Sequence, residues 1–297
     1  MPTWAEVQLE IQQLQHDGNA DPLGAVRQKY LQALSAKTGR TTIAYYSGWL
    51  SNPAGMQMTH IINDDDKSGF MQAAHQVAHK TGLDLVLHTP GGSVTAAESI
   101  VDYLLKLFKE DIRVIVPQIA MSAGAMIACA AREVVMGHQS NLGPIDPQVN
   151  GLPAYDVISE FDRAVKESTD PGAAQMWQTI IGKYHPTFLS SCEHAIALSK
   201  EIVQKWLEQY MFAGEKDARG KAAYVVECLS SREGNREHGR HIHAERCKQI
   251  GLKVTALEDD QDLQELVLTV HHACIYSMSQ TGWSKLIENQ VGATFVR

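Results

Sequence analysis

Between Leu83 and Met136, strand-length apolar runs alternate with helix-length segments, and this alternation restricts the fold more than any other feature of the sequence. Residues 83–88 (LDLVLH) read as a buried strand, and Gly91-Gly92-Ser93 turns that strand into a helix over 94–109. Residues 113–117 (RVIVP) are a second strand, 122–131 a helix of small residues, and 133–136 (EVVM) a third strand. Strands separated by helices predict a largely parallel sheet with right-handed crossovers. In such sheets a ligand site lies beyond the carboxyl ends of the strands. The Gly91-Gly92 pair and Ser122 both fall at such ends, each at a strand-to-helix junction.

The flanking segments are mostly helical. Thr3 with Glu6 forms a capping-box pattern, and Asp21-Pro22 is a cap followed by a first-turn proline. Residues 1–40 therefore read as a helical arm, either an oligomer contact or a packing extension. Residues 41–46 read as a strand. Asp64, Asp65 and Asp66 open a helix expected to run to about residue 80; acids are favoured at a helix N-terminus, so no metal site is predicted from them. After Pro147, helices are expected over 155–167, 173–181, 189–210 and 216–229, with a polar loop over 234–243. A short helix over 244–250 ends at Gly251, a terminal helix covers 263–279, and a strand pair closes the chain over 285–296. The expected organisation is an arm (1–40), a core (41–254) carrying a helical insertion at about 155–231, and a C-terminal helix and tail (255–297).

Composition narrows the function classes. An apolar fraction of 44% with 20% charged residues is that of a globular protein, not a disordered one. The 26 basic against 34 acidic residues leave a net charge of −8, which argues against nucleic acid or an anionic membrane as partner. The first residues lack a basic-then-apolar leader pattern, and the longest small-apolar run, 120–131, is short and broken by Ser122. A cytoplasmic protein without a membrane span is expected. Five scattered cysteines, none in a C-x-x-C pair, predict free thiols; neither a metal nor a cofactor is expected.

The chemistry concentrates in the two junctions. His88-Thr89-Pro90-Gly91-Gly92-Ser93 places paired glycines after a strand, where backbone amides approach a bound group closely. It contains no nucleotide-binding glycine pattern. Ala120-Met121-Ser122-Ala123-Gly124-Ala125 surrounds a serine with small residues at a helix start, where free amides face an oxyanion. Taken alone, the first segment is equally a tight turn and the second a plain N-cap. Together they point to a nucleophile beside an amide cradle.

HTPGGSVTAAESIVDYL followed by AMSAGAMIACAA resembles the superfamily of Clp-type peptidases and signal peptide peptidase A, which shares the crotonase fold. The stretch NLGPIDPQ is similar to the serine dehydrogenase proteinase family within it, and the segment from Gly239-Arg240 to Gly251-Leu252 is similar to the end of those domains. The resemblance covers about 41–254. It implies an α/β fold with a Clp/crotonase-like repeated ββα core, a parallel sheet and helical N- and C-terminal additions. It further implies Ser122 as the acyl-forming nucleophile, the amides of Gly92 and Ala123 as the oxyanion hole, and Gly91 as the residue that shapes the turn. The implied substrate is an extended peptide or unfolded protein lying along Pro90–Ser93, and the implied state is a homo-oligomer, with an ATPase partner left open.

The base departs from the relatives. Clp-type peptidases carry a histidine soon after the third strand, but Gly143-Pro144-Ile145-Asp146-Pro147 has none. His138 lies earlier. Signal peptide peptidase A uses a lysine further along, at a spacing that Lys166 matches. The segment Gly182-Lys183-Tyr184-His185 resembles its lysine-bearing stretch, with His185 at the lysine position. A lysine must lose about 3 pKa units to act near pH 7, whereas a histidine needs no such shift. Lys166 and His185 are thus the leading candidates, with Lys183, His241 and His243 behind them. Two other readings stay open: a non-catalytic assembly module that kept the fold and lost its base, and a CoA-thioester enzyme using the same amides. The second is disfavoured because no glutamate accompanies the cradle.

Overall fold

The computed structural model describes residues 3–51 and 57–297. In chain order its elements are α1 (Trp4–His16), α2 (Pro22–Thr38), β1 (Thr41–Ser47), α3 (Asp65–Ala74), β2 (Leu83–His88), α4 (Val94–Leu107), β3 (Ile112–Val116), β4 (Ile119–Ala120), α5 (Ala123–Cys129), β5 (Glu133–Met136) and β6 (Asn141–Leu142). There follow β7 (Gln148–Val149), β8 (Leu152–Pro153), α6 (Ala154–Glu167), α7 (Pro171–Ile181), α8 (Phe188–Trp206), α9 (Ala218–Ser230), α10 (Arg232–Asn235), β9 (Ile242–His243), α11 (Ala244–Gln249), β10 (Val254–Ala256), α12 (Gln261–Thr281), β11 (Lys285–Asn289) and β12 (Thr294–Val296).

Among the described residues the main sheet has seven strands in the order β10-β5-β3-β2-β1-β11-β12. The first five are mutually parallel, and β11 and β12 extend the sheet antiparallel. The protein is thus α/β with a mostly parallel sheet, as the alternation predicts. Both faces are covered, which is why these strands are apolar at successive positions instead of alternating with polar ones. Ile43, Tyr45, Leu85, Leu87, Val114 and Val116 point to the side of α4, α5, α8 and α9. Their neighbours Ala44, Tyr46, Val86 and Ile115 meet α2 and α12 on the other side. Burying one such aliphatic side chain contributes about 1.5–3 kcal/mol. One of the buried polar residues of these strands, Asp84 on β2, is held by Arg40 at 2.8 Å and by Arg113 at 2.9 and 2.7 Å.

A second, smaller sheet has the strand order β4-β6-β9. Its strands have two residues each, too few for a sequence period to reveal them. Two helices differ from expectation in extent. The helix opened by the three aspartates stops at Ala74, because the His79 ring takes the Ala74 carbonyl at 2.8 Å, the acceptor a continuing helix would need. The long helix over 189–210 ends its regular part at Trp206 and continues as a π-helical turn, Leu207–Met211. The cysteines are free, with all but Cys228 buried. No helix of the described residues is long and apolar enough to cross a membrane.

Candidate functional site

The two junctions lie side by side because backbone pairing joins them. The Thr89 amide donates to the Ile119 carbonyl at 3.1 Å, and the Met121 amide donates to the Thr89 carbonyl at 3.0 Å. On its other side the glycine turn is stitched to Ile62, whose amide donates to the Gly91 carbonyl at 2.7 Å and whose carbonyl accepts from the Ser93 amide at 2.9 Å. The turn is therefore clamped between Ile62 and the Met121-Ser122 bend. Glycine is required at both turn positions. Gly91 has φ 96°, and a β-carbon there would stand 2.6 Å from the Ser122 Cβ. Gly92 has φ 152°, and a β-carbon there would stand 2.3 Å from the Ile62 nitrogen.

Ser122 sits at the bend between β4 and α5 with φ 50° and ψ −118°, a strained conformation for a residue with a side chain. A serine held on a sharp strand-to-helix bend presents its hydroxyl outward, and the next backbone amide then serves as an oxyanion donor. Its neighbours fit the bend by being small: Ala120 and Ala123 are fully buried, and a β-carbon on Gly124 would strike the Thr89 Cγ2 at 2.4 Å. The Ser122 hydroxyl makes no capping bond to α5, although the serine occupies the N-cap position, and the residue is half-buried. Among the described residues, the amides of Gly92 and Ala123 donate to no backbone acceptor. The structure thus brings together Ser122, Gly91, Gly92 and Ala123. The turn edge expected to carry a peptide is already occupied, since Ile62 holds the Gly91 carbonyl and the Ser93 amide.

Lys285 braces this arrangement from below. Its ammonium donates to the Ile61 carbonyl at 2.8 Å and to both Asp66 oxygens at 2.8 and 2.7 Å, in a fully buried position. Tyr45 and the Asn63 amide also donate to Asp66. Burial pulls the Lys285 ammonium below its ordinary pKa, and the Asp66 carboxylate opposes that pull. Asp66 is therefore half of an internal ion pair and not only a helix-terminal acid.

The base candidates named from the sequence are scattered. Lys166 is exposed on α6, and Lys183 and His185 are exposed beyond α7. The His185 Nδ1 lies 3.0 Å from the Thr187 hydroxyl. His138 is exposed and faces Glu245 at 3.6 Å; His241, just before β9, and His243, on it, are exposed. Among the described residues no hydrogen bond or ion pair joins any of these to Ser122.

The family described as ClpP-like SDH-type serine proteinase matches residues 21–271. The chain belongs to this family. Two uncharacterized proteins of Methanocaldococcus jannaschii are similar to it. One is 30% identical over 249 residues, covering 84% of this chain and 78% of the relative. The other is 28% identical over 202 residues, covering 67% of this chain; the match spans 61% of that relative's length.

In this SDH-type chain a further pair escaped the sequence reading. The His238 Nδ1 lies 3.0 Å from the Asp146 Oδ1, with side-chain exposures of 21% and 15%. Both line a cavity of 450 Å³ together with Gln148, Tyr155, Asp156 and Gly239. Asp146 belongs to the Gly143–Pro147 stretch noted for lacking a histidine, and His238 belongs to the loop between α10 and β9. The two are 92 residues apart in sequence. The one local signal was a lone aspartate between Pro144 and Pro147, in a turn the prolines stiffen.

Proposed function

We propose that this chain is a serine peptidase that hydrolyses peptide bonds through an acyl-enzyme on Ser122. The observation that supports it is the strained Ser122 bend, whose hydroxyl makes no capping bond to α5, next to the amides of Gly92 and Ala123, which donate to no backbone acceptor among the described residues. Attack of the serine oxygen on a peptide carbonyl moves negative charge onto the carbonyl oxygen. Two fixed amide donors stabilise that charge more than they stabilise the neutral substrate, an effect of about 3–4 kcal/mol per donor. Membership of a ClpP-like serine proteinase family supports the same reading.

The substrate in this reading is a flexible peptide or an unfolded segment, since a cradle made of backbone amides reads main chain. The protein acts as a homo-oligomer, which a light-scattering mass equal to the 32.7 kDa monomer would refute. For the chemistry, a fluorophosphonate should label the wild type on one serine, which peptide mass spectrometry should place at Ser122. Ser122→Ala should lose both labelling and peptide hydrolysis while melting at the wild-type temperature. Hydrolysis that survives the substitution would overturn the proposal.

A further inference from the structure

We propose that Lys285 is a positioning residue for the oxyanion cradle, which strengthens the Gly92 amide as a donor through two intervening peptide units; this rests on the serine-peptidase reading. The bonds run in one line. The Lys285 ammonium donates to the Ile61 carbonyl at 2.8 Å. That carbonyl shares its peptide unit with the Ile62 amide, which donates to the Gly91 carbonyl at 2.7 Å. The Gly91 carbonyl shares its peptide unit with the Gly92 amide, which donates to no backbone acceptor among the described residues. In a trans peptide the C=O and N–H point opposite ways, so each unit accepts a bond at one end and passes one on at the other. A buried cation stands at the head of this line and the Gly92 N–H at its end.

Such a line is polarised in one direction. A positive charge on a carbonyl oxygen draws electron density from the nitrogen of the same unit and makes its N–H a better donor. A charged donor makes a bond roughly twice as strong as a neutral one, and bonds in a chain strengthen one another by about 10–30% each. Because Lys285 is fully buried, solvent ions screen its charge little.

Asp66 does not cancel the effect, because it works on different peptide units. Its carboxylate accepts from the Asn63 amide at 3.0 Å. The peptide unit of that amide carries the Ile62 carbonyl, which accepts from the Ser93 amide at 2.9 Å. The cation thus acts through Ile61–Ile62 on Gly91–Gly92, and the anion through Ile62–Asn63 on Gly92–Ser93. The other cradle amide has no such source. Ala123 shares its peptide unit with the Ser122 carbonyl, which accepts from the Met126 amide of α5 at 3.0 Å, a neutral donor.

The test removes the charges and keeps polar groups in their places. Lys285→Gln combined with Asp66→Asn leaves amides at both positions, so a contact that only holds residues 61–63 in place survives the exchange and the polarisation does not. This variant should react with a fluorophosphonate about tenfold more slowly than the wild type, a fraction of the 10²–10³-fold expected for losing a donor outright. The phosphoryl oxygen of the Ser122 adduct occupies the cradle. Its phosphorus NMR resonance should therefore move from the wild-type position, in the same direction as in the Gly92→Ala adduct. Melting curves and circular dichroism establish that the variant is folded. Where the polar pair does not fold, Lys285→Met with Asp66→Leu, an apolar pair, takes its place with the same two expectations. A folded charge-free variant that labels at the wild-type rate overturns the relay and leaves the serine-peptidase reading standing. Slower labelling with an unmoved resonance assigns the loss to a displaced turn and also overturns the relay. A wild type that never labels overturns the serine-peptidase reading and the relay with it.

Discussion

Replacing Gly92 by alanine should separate the cradle from the fold. The added β-carbon would stand 2.3 Å from the Ile62 nitrogen, 2.5 Å from its oxygen and 2.9 Å from its Cα, all backbone atoms that cannot swing aside. Relief requires the turn and Ile62 to part, which strains the two hydrogen bonds of 2.7 and 2.9 Å that join them. Losing both costs about 1–3 kcal/mol, and the φ of 152° adds strain of about 1–3 kcal/mol for a residue with a β-carbon. At roughly 2 °C per kcal/mol, the melting temperature should fall by roughly 4–12 °C, leaving a folded protein at room temperature. The Gly92 amide would move off the oxyanion position proposed for it, and on that proposal losing one such donor slows acylation about 10²–10³-fold. The assay is the second-order rate of fluorophosphonate labelling, with Ser93→Ala as control. The Ser93 hydroxyl caps α4 by accepting from the Ala96 amide at 3.2 Å, so its loss costs about 1 kcal/mol and should leave labelling within a few-fold. A folded Gly92→Ala that labels at the wild-type rate would show that this amide is not a donor in the cradle.

Two further outcomes concern stability. His88 and His271 are buried together with ring centroids 5.2 Å apart; burial pushes His271 down to about 3 and His88 well below the usual imidazole range. The unfolded chain binds these protons below about pH 6.5 while the native state refuses them, so stability is fully present above that pH and is lost as pH falls toward 3. His271 alone should cost about 2 kcal/mol by pH 5. Melting temperatures should therefore drop from pH 7 to 5, and less steeply in His271→Gln; equal slopes would contradict the assignment. Lys285→Met should destabilise by about 3–5 kcal/mol in denaturant titrations, because Asp66 would be left buried without its cation, and adding Asp66→Asn should recover part of that loss. A double variant no more stable than the single one would refute the pairing argument.

The strand-and-helix alternation and both junctions were legible because each is local: apolar runs of strand length, a glycine pair, and a serine among alanines. The small-residue environment of Ser122 could be read directly, since only alanine and glycine permit so close an approach to the glycine turn. The His238–Asp146 pair was not legible. Its partners meet across β6 and β9, strands of two residues that leave no periodic trace, and His238 lies in a polar stretch that reads as loop. The Lys285–Asp66 pair was hidden for a related reason. A helix-terminal aspartate already has a sufficient local explanation, and only the sheet brings its cation from the far end of the chain.

That far-end cation has a temporal consequence. Polypeptides emerge from the ribosome N-terminus first. Ser122, the glycine pair and Ile62 are all made well before Lys285, which lies beyond the family-matched span that ends at residue 271. Until β11 arrives, β1 has no antiparallel neighbour, and Asp66 is a carboxylate without its ammonium. Ser122 is thus synthesised before its brace. A chain cut before β11 would carry Ser122 and the glycine turn without the ammonium that holds the Ile61 carbonyl and Asp66 beside them.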